Sequence, residues 1–367
     1  MVVLLLLGAC GFRVPAEGVG DAALDDRASD ATPACYQARC RRMTISIDHT
    51  RVVAGPHAAF PLYIDVTDPA LGRDAVFTAA DGTTVLPYER EVLRGGNLLA
   101  WVRVPSMSSA TNTAIQLYFG DPTAIDTQDR AGVWDAGYQG VWHLGETVGG
   151  AAAITDSTSH GNAGTDLNGL AIGVVGKLGR AIQFDGTDDC LRIAASTSLA
   201  STAATATFGM WVNWTTPVPA DYQRLLMSAN TFAGDGSGME WATNPQSLHY
   251  YYPSAAGGAD YAAIQEPFVA GAWHHLVLTQ DLATKTVRFF VDGAEPTKVA
   301  DGAATLWTTL TTMADWYWGG QPPRAKFFGM MDELRTSNVV RSPGWIATEF
   351  ANQSSPTTFY SIVTTQP

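Results

Sequence analysis

The sequence predicts an all-β protein made of two antiparallel β-sandwiches. Three observations predict it. Short stretches alternating apolar and polar residues recur along the chain, the period of a half-buried strand. Asp-Pro, Asp-Gly and Gly-Gly turn signals separate them. The 36 Gly and 19 Pro of 367 residues punctuate the chain too often for long helices. That length suits two domains. Hydrophobic residues make up 46% and charged residues 16%, so a core can form and a mostly disordered chain is excluded.

The N-terminal run MVVLLLLGA (1–9) is too short to cross a bilayer, which takes about 20 apolar residues. It resembles the apolar part of a secretory signal. It ends in Leu7-Gly8-Ala9-Cys10, which resembles a bacterial lipobox, although no Lys or Arg precedes the apolar run. The resemblance implies that residues 1–9 are a signal peptide and that Cys10 carries lipid. The protein is then exported to the bacterial cell envelope, at the outer membrane or surface, and meets the membrane only through that anchor. The other reading is an apolar N-terminus with a chance cysteine. Residues 10–41 follow as a tether, small, acidic and aperiodic over 14–34. Cys35 and Cys40 bracket four residues, and in an oxidising compartment they read as a disulfide. As a zinc site the pair lacks two ligands. Cys190, in Cys190-Leu191-Arg192-Ile193, reads as a small buried hydrophobe.

The first folded segment is expected over 42–137. Thr44–Asp48, Leu62–Val66 and Ile115–Phe119 alternate, while Leu99–Val104 is apolar at nearly every position, as in a strand covered on both faces. The phrases Leu86-Pro87-Tyr88-Glu89, Trp101-Val102-Arg103-Val104-Pro105 and Leu117-Tyr118-Phe119-Gly120, with Phe77 and Asp81-Gly82, resemble the DUF2341 family. That resemblance implies no particular activity.

The second segment is expected over 138–367. Its phrases YQGVWHL, DSTSHGNAGT, GKLGRAIQFDGTDDCLRI, TFGMWVNW, GAWHHLVLTQDLATKTVRFFVDGAE and FFGMMDELRTSNV resemble, in order, the LamG-like, concanavalin A-like jelly-roll family. The resemblance implies two packed antiparallel sheets. The residues agree. Trp273–Gln280 should pair with Lys285–Val291, where 287, 289 and 291 face one way and Asp292-Gly293 makes a tight turn. One helix is expected, with Ser342 as N-cap, Pro343 at its first position and Trp345, Ile346 and Phe350 on one apolar face.

The net charge of −13 argues against a nucleic-acid partner. Arg39, Arg41 and Arg42 form the one basic cluster and read as a solvated strand entrance. Glucanases of the concanavalin-like fold carry Glu-x-Asp-x-x-Glu on one strand, and none of the nine Glu here begins that motif. Glu89-x-Glu91 lies on one strand face, but in the first segment and among solvent-type neighbours. Gly236-Ser237-Gly238 lacks the pattern of a nucleophile elbow. The adjacent His274 and His275 point to opposite faces and read as structural. No catalytic residue is assigned.

Sandwiches of this family often hold one Ca²⁺. The resemblance puts its ligands at Asp185 and Gly186 in FDGTDD and Asp332 in MMDELR, with Asp156 and Asn162 in the Asp/Ser/Gly loop. Turn and strand-end chemistry is the plainer reading. For a glycan, the candidates are Trp241, Tyr250 and Tyr252, with Trp316 and Trp318, as flat faces near amides. Core packing is their alternative. The expected role is non-catalytic binding or adhesion to a glycan or a surface protein. The rivals are a glycan hydrolase with carboxylates from separate strands and a structural envelope component.

Overall fold

The computed structural model describes residues 35–200, 202, 204–216, 222–228, 238–243, 246–254, 258–301, 314–320 and 327–365. Cys10, most of the expected tether, Gly236 and Ser237 lie outside them. All strand pairs among the described residues are antiparallel, and they build two sandwiches. No helix among the described residues is long and apolar enough to cross a membrane.

In the first sandwich a four-stranded sheet faces a three-stranded one. The larger runs Tyr360–Thr365, Arg41–Ile47, Thr113–Phe119, Val76–Ala79; the smaller runs His57–Thr67, Asn97–Met107, Tyr88–Arg94. Alternate residues such as Ile45, Ile47, Leu62, Phe77, Val102 and Leu117 fill the space between them. Asn97–Met107 is covered on both faces over its middle, as its apolar run suggests. Leu98, Ala100 and Val102 point into this core, while Trp101 points the other way and is also fully buried.

The last strand of this sandwich comes from the end of the chain. Ile45 pairs with Ile362 and Ser46 with Ser361. The segment from 138 to the C-terminus is therefore not one sandwich: its final strand closes the first. The basic cluster is solvated only at Arg41. Arg39 and Arg42 are buried, Arg39 donates to the Asp74 carbonyl, and Arg41 lies 3.7 Å from Asp68. The Cys35–Cys40 disulfide forms just before the first strand.

The second sandwich has a seven-stranded and an eight-stranded sheet. The seven-stranded sheet runs Thr286–Val291, Trp273–Asp281, Thr205–Trp214, Phe328–Ser337, Arg180–Asp185, Ala171–Val175, and Tyr138–Trp142 pairs with the second half of Phe328–Ser337. The hairpin read from the sequence is present, with Leu278 opposite Phe289. Its two strands are joined by residues 282–285, and Asp292 and Gly293, which follow the second strand, both have positive φ (51° and 79°), the conformation of a tight two-residue turn, bridged here by Val291 and Ala294. The eight-stranded sheet runs Lys298–Asp301, Gly258–Ile264, Gln246–Ser254, Gly238–Thr243, Gln223–Ser228, Trp316–Trp318, Cys190–Ile193, Gly164–Leu167. Cys190 is a free, buried thiol, pushed up to about 12 by burial.

Helix Pro343–Ser354 lies between the sandwiches. Ser342 accepts from the Trp345 N–H, as an N-cap should. The three expected apolar residues divide between two partners. Trp345 enters the first core, Ile346 packs on Val277 and Phe290, and Phe350 meets Trp211 and His275. Asn352 accepts from the Tyr63 N–H at 2.7 Å and donates to its carbonyl at 3.0 Å. The helix thus satisfies an edge strand that would otherwise show free backbone groups.

Candidate functional site

The outer face of the three-stranded sheet packs on the outer face of the seven-stranded sheet. From the first come Glu89, Glu91 and Trp101, and from the second Glu333 and Arg335, with His143 just after strand Tyr138–Trp142. Period two would send Asp332 and Glu333 to opposite faces. A bulge prevents this. Trp211 pairs with Asp332 and Gly209 with Arg335, so two residues oppose one. Glu333 takes φ 53°, in the left-handed region. Met331 and Leu334 then both reach the core, while Asp332, Glu333 and Arg335 all face the junction.

His143 is the hub. Its Nδ1 lies 2.9 Å from both Glu333 oxygens and its Nε2 3.3 Å from Glu89 Oε2. Burial opposes a charge on the ring, but the two carboxylates outweigh it and hold the imidazolium well above its ordinary range. Glu89 also accepts from Ser157 Oγ (2.7 Å), Trp134 Nε1 (3.2 Å) and Arg130 Nε (3.0 Å). Burial pushes its carboxyl up, yet His143 and these donors hold it below the usual range. Arg335 bridges Glu333 and Glu349, with its guanidinium 4.3 Å from the Trp101 ring centre.

Glu91 and Asp332 have no ion-pair partner among the described residues. Glu91 Oε2 accepts from Trp101 Nε1 at 3.4 Å, while Oε1 is sealed from solvent without a hydrogen bond. Burial, and then the Glu333 charge, push Glu91 up to about 8. Asp332 Oδ2 accepts from the Leu178 N–H at 2.8 Å, its Oδ1 is unpartnered, and burial raises its carboxyl well above the usual range. The centre opens into a polar cleft of about 250 Å³ lined by Glu89, Glu91, Arg130, His143, Glu146 and Ser157.

None of these residues is in the set expected from sequence except Asp332. Glu89 is 2% exposed, so its face of the strand is not open to solvent: His143 and Ser157 of the second sandwich cover it. A signal was present in the unbroken apolar strand around Trp101, which already required a second cover.

The expected calcium ligands do not converge. Asp185 pairs with Phe328, four residues from Asp332 along one strand, or roughly 13 Å. Asp156 is satisfied by its own loop and the neighbouring strand, accepting from Thr158, Asn162 and Val141. The Asn162 side chain donates to the Gln139 carbonyl and Ser198. Asp185 accepts from Thr187 N–H, and Gly186 takes φ 77° in the same turn. These residues therefore do not fit one shared ion.

The expected aromatic ligands are core. Trp241, Tyr250, Tyr252 and Trp318 are at most 2% exposed, and Trp316 packs against the same cluster. Alternation instead turns Tyr251 and His249 to the outer face of the eight-stranded sheet. There His249 stacks on Tyr261 at 4.7 Å and 18°, and Tyr251 lies 5.6 Å from Tyr261. His249 Nε2 is 2.6 Å from Ser247 Oγ and its Nδ1 3.0 Å from the Tyr251 hydroxyl. Arg224 and Glu240 pair at 3.6 Å on the adjoining strands. Tyr222 and Tyr261 are each 39% exposed. The two adjacent histidines do point apart, His274 to Asp292 and His275 to Trp211 and Phe350.

Residues 72–141 match the family model of a domain of unknown function, DUF2341. Residues 185–347 match that of the concanavalin A-like lectin/glucanases superfamily. The order is the one read from the sequence, and the second match fits carbohydrate binding. No curated protein matches the chain. Among solved structures, domain 4 of AbnA, a GH43 extracellular arabinanase from Geobacillus stearothermophilus in complex with arabinotriose, is 16% identical with a TM-score of 0.45, over 59% of this chain and 100% of that one. The binding domain of botulinum neurotoxin serotype D is 5% identical with a TM-score of 0.46, over 59% and 52%. That of serotype G is 8% identical with a TM-score of 0.45, over 59% and 51%. The chain spans about half the length of the neurotoxin domains.

Proposed function

We propose that this protein binds a carbohydrate, without cleaving it, on the outer face of the eight-stranded sheet. The carrying observation is the row of Tyr251, His249 and Tyr261 beside the Arg224–Glu240 pair. A sugar ring has an apolar face and a rim of hydroxyls. An exposed tyrosine ring with fixed donors and acceptors nearby matches both. In the same reading the protein is exported and held at the envelope by an acyl group on Cys10. The Cys35–Cys40 disulfide agrees with an oxidising compartment.

The test is a glycan array probed with the full chain, followed by titration of the best ligand. Tyr261→Ala should weaken binding about tenfold, since a lost aromatic contact of about 1.5 kcal/mol corresponds to that factor. The melting temperature should change little because the ring is part-exposed. Equal affinity of wild type and variant overturns this location. Release of reducing ends from the bound glycan overturns the non-catalytic reading.

A further inference from the structure

We propose that Glu91, His143 and Glu333 form a binding site for a divalent transition-metal ion, of the Zn²⁺ or Mn²⁺ class, at the floor of the cleft between the two sandwiches. Neither the sheet-face reading nor either family match assigns it, and it stands independently of both.

The first observation is geometric. One donor atom from each of the three side chains lies within 4.8 Å of the others. Ligands about 2.1 Å from a common ion stand at most about 4.2 Å apart, so shifts of about half an ångström in these side chains would bring all three onto one ion. The residues come from three separate strands or strand ends, so the tertiary structure alone gathers them.

The second observation is Glu91 Oε1. It is shut off from solvent and has no hydrogen-bond partner. A sealed carboxylate oxygen without a donor is costly, and a cation is one of the few things that repays it. The turn beside it is shaped to admit this oxygen. Gly179 has φ 55°, and a Cβ there would stand 2.3 Å from Glu91 Oε1. Asp332 Oδ1, in a fully buried residue on the same bulge, is a second oxygen without a partner.

The third observation is the support behind the imidazole. The ion would take the place of the Nδ1 proton now shared with Glu333, that proton leaving to solvent through the cleft, while Nε2–H donates to Glu89 Oε2, 3.3 Å away. Glu89 is itself fixed by Ser157, Trp134 and Arg130. A carboxylate that orients a ligating histidine is the usual backing of such sites. Trp101 stacks along the ring at 5.6 Å and 19°, which sets its plane.

The donor set selects the ion. One imidazole nitrogen with two carboxylates suits Zn²⁺ or Mn²⁺, whereas Ca²⁺ takes six to eight oxygens and has little use for imidazole. Three protein ligands leave a coordination position toward the cleft. Glu89 acts here as a positioning residue, because it touches the ring and not the ion.

The experiment strips the full-length protein with chelator and titrates it with Zn²⁺, Mn²⁺ and Ca²⁺ by calorimetry, with elemental analysis for stoichiometry. One Zn²⁺ or Mn²⁺ per chain is expected, with Ca²⁺ at least tenfold weaker. Glu91→Gln should weaken binding at least tenfold and leave the metal-free melting temperature unchanged or higher, since it replaces a carboxylate held close to Glu333 by a neutral amide of the same shape. Glu89→Gln should weaken binding about ten- to a hundredfold. The visible spectrum of the Co²⁺-loaded protein should show a nitrogen- and oxygen-ligated ion, and Glu91→Gln should alter it. No saturable binding at millimolar metal overturns the proposal. So does Ca²⁺ binding as tight as Zn²⁺, or an affinity and spectrum indifferent to Glu91→Gln.

Discussion

His143 and His249 are both nearly buried, and they differ in charge. His143 sits between Glu89 and Glu333, and its pKa is raised. His249 sits between the hydroxyls of Ser247 and Tyr251, and burial lowers its pKa. Burial is common to the two, so the partners decide. A carboxylate stabilises an imidazolium strongly enough to offset lost hydration, while a hydroxyl does not. The junction between the sandwiches is therefore an ionic structure held by charge pairing. The sheet face is an aromatic one whose histidine is neutral and whose Arg224 and Glu240 charges offset each other, suited to an uncharged ligand.

The most severe way to break this contrast is to remove a charge from the junction. Arg335→Met keeps much of the side-chain volume but leaves Glu333 and Glu349 facing each other without their shared cation. A loss of about 3–5 kcal/mol in chemical denaturation is expected. A loss below about 1 kcal/mol would show that the junction does not depend on pairing.

A smaller effect sharpens the contrast with a third histidine. His275 lies among Trp211 and Phe350, with Glu349, Arg335, Asp292 and Lys177 acting on it from neighbouring elements. Burial takes its pKa from the ordinary 6.5 down to about 4. Between those values the unfolded chain binds the proton and the folded chain does not. Its contribution is complete above pH 6.5 and falls as the pH drops toward 4, by at most about 1.4 kcal/mol per pH unit. His275→Phe should flatten the stability–pH curve in that window. A curve of unchanged slope would mean that His275 is protonated in the folded state.

The smallest effect belongs to the sheet face. Tyr251→Phe removes the hydroxyl 3.0 Å from His249 Nδ1. A loss of about 1 kcal/mol is expected in the same denaturation measurement. A loss as large as that of Arg335→Met would place this face in the same class as the junction.

The strands that carry these side chains were readable because a strand's period is local. The hairpin of Trp273–Asp281 with Thr286–Val291 and the doubly covered Asn97–Met107 follow from alternation, apolar runs and turn dipeptides alone. Which side of an aromatic run faces inward is a different matter. In Tyr250-Tyr251-Tyr252 every residue is apolar enough for either face, so periodicity carries no parity, and the outward ring is Tyr251.

By itself the sequence determined the all-β class, the order of the two family segments, the N-cap at Ser342, the Cys35–Cys40 disulfide and the buried character of Cys190. Each depends on residues close together in the chain or on a phrase long enough to resemble a family. The tertiary structure decided that Tyr360–Thr365 closes the first sandwich and that Asp185 and Asp332 stay apart. It also decided that Glu89, Glu91, His143 and Glu333 meet. The bulge at Glu333 turns one side chain out of phase, and the packing of one sheet's outer face on another buries carboxylates that a single strand would leave in water. Contacts of that kind depend on register and docking between distant segments, and no local period encodes them.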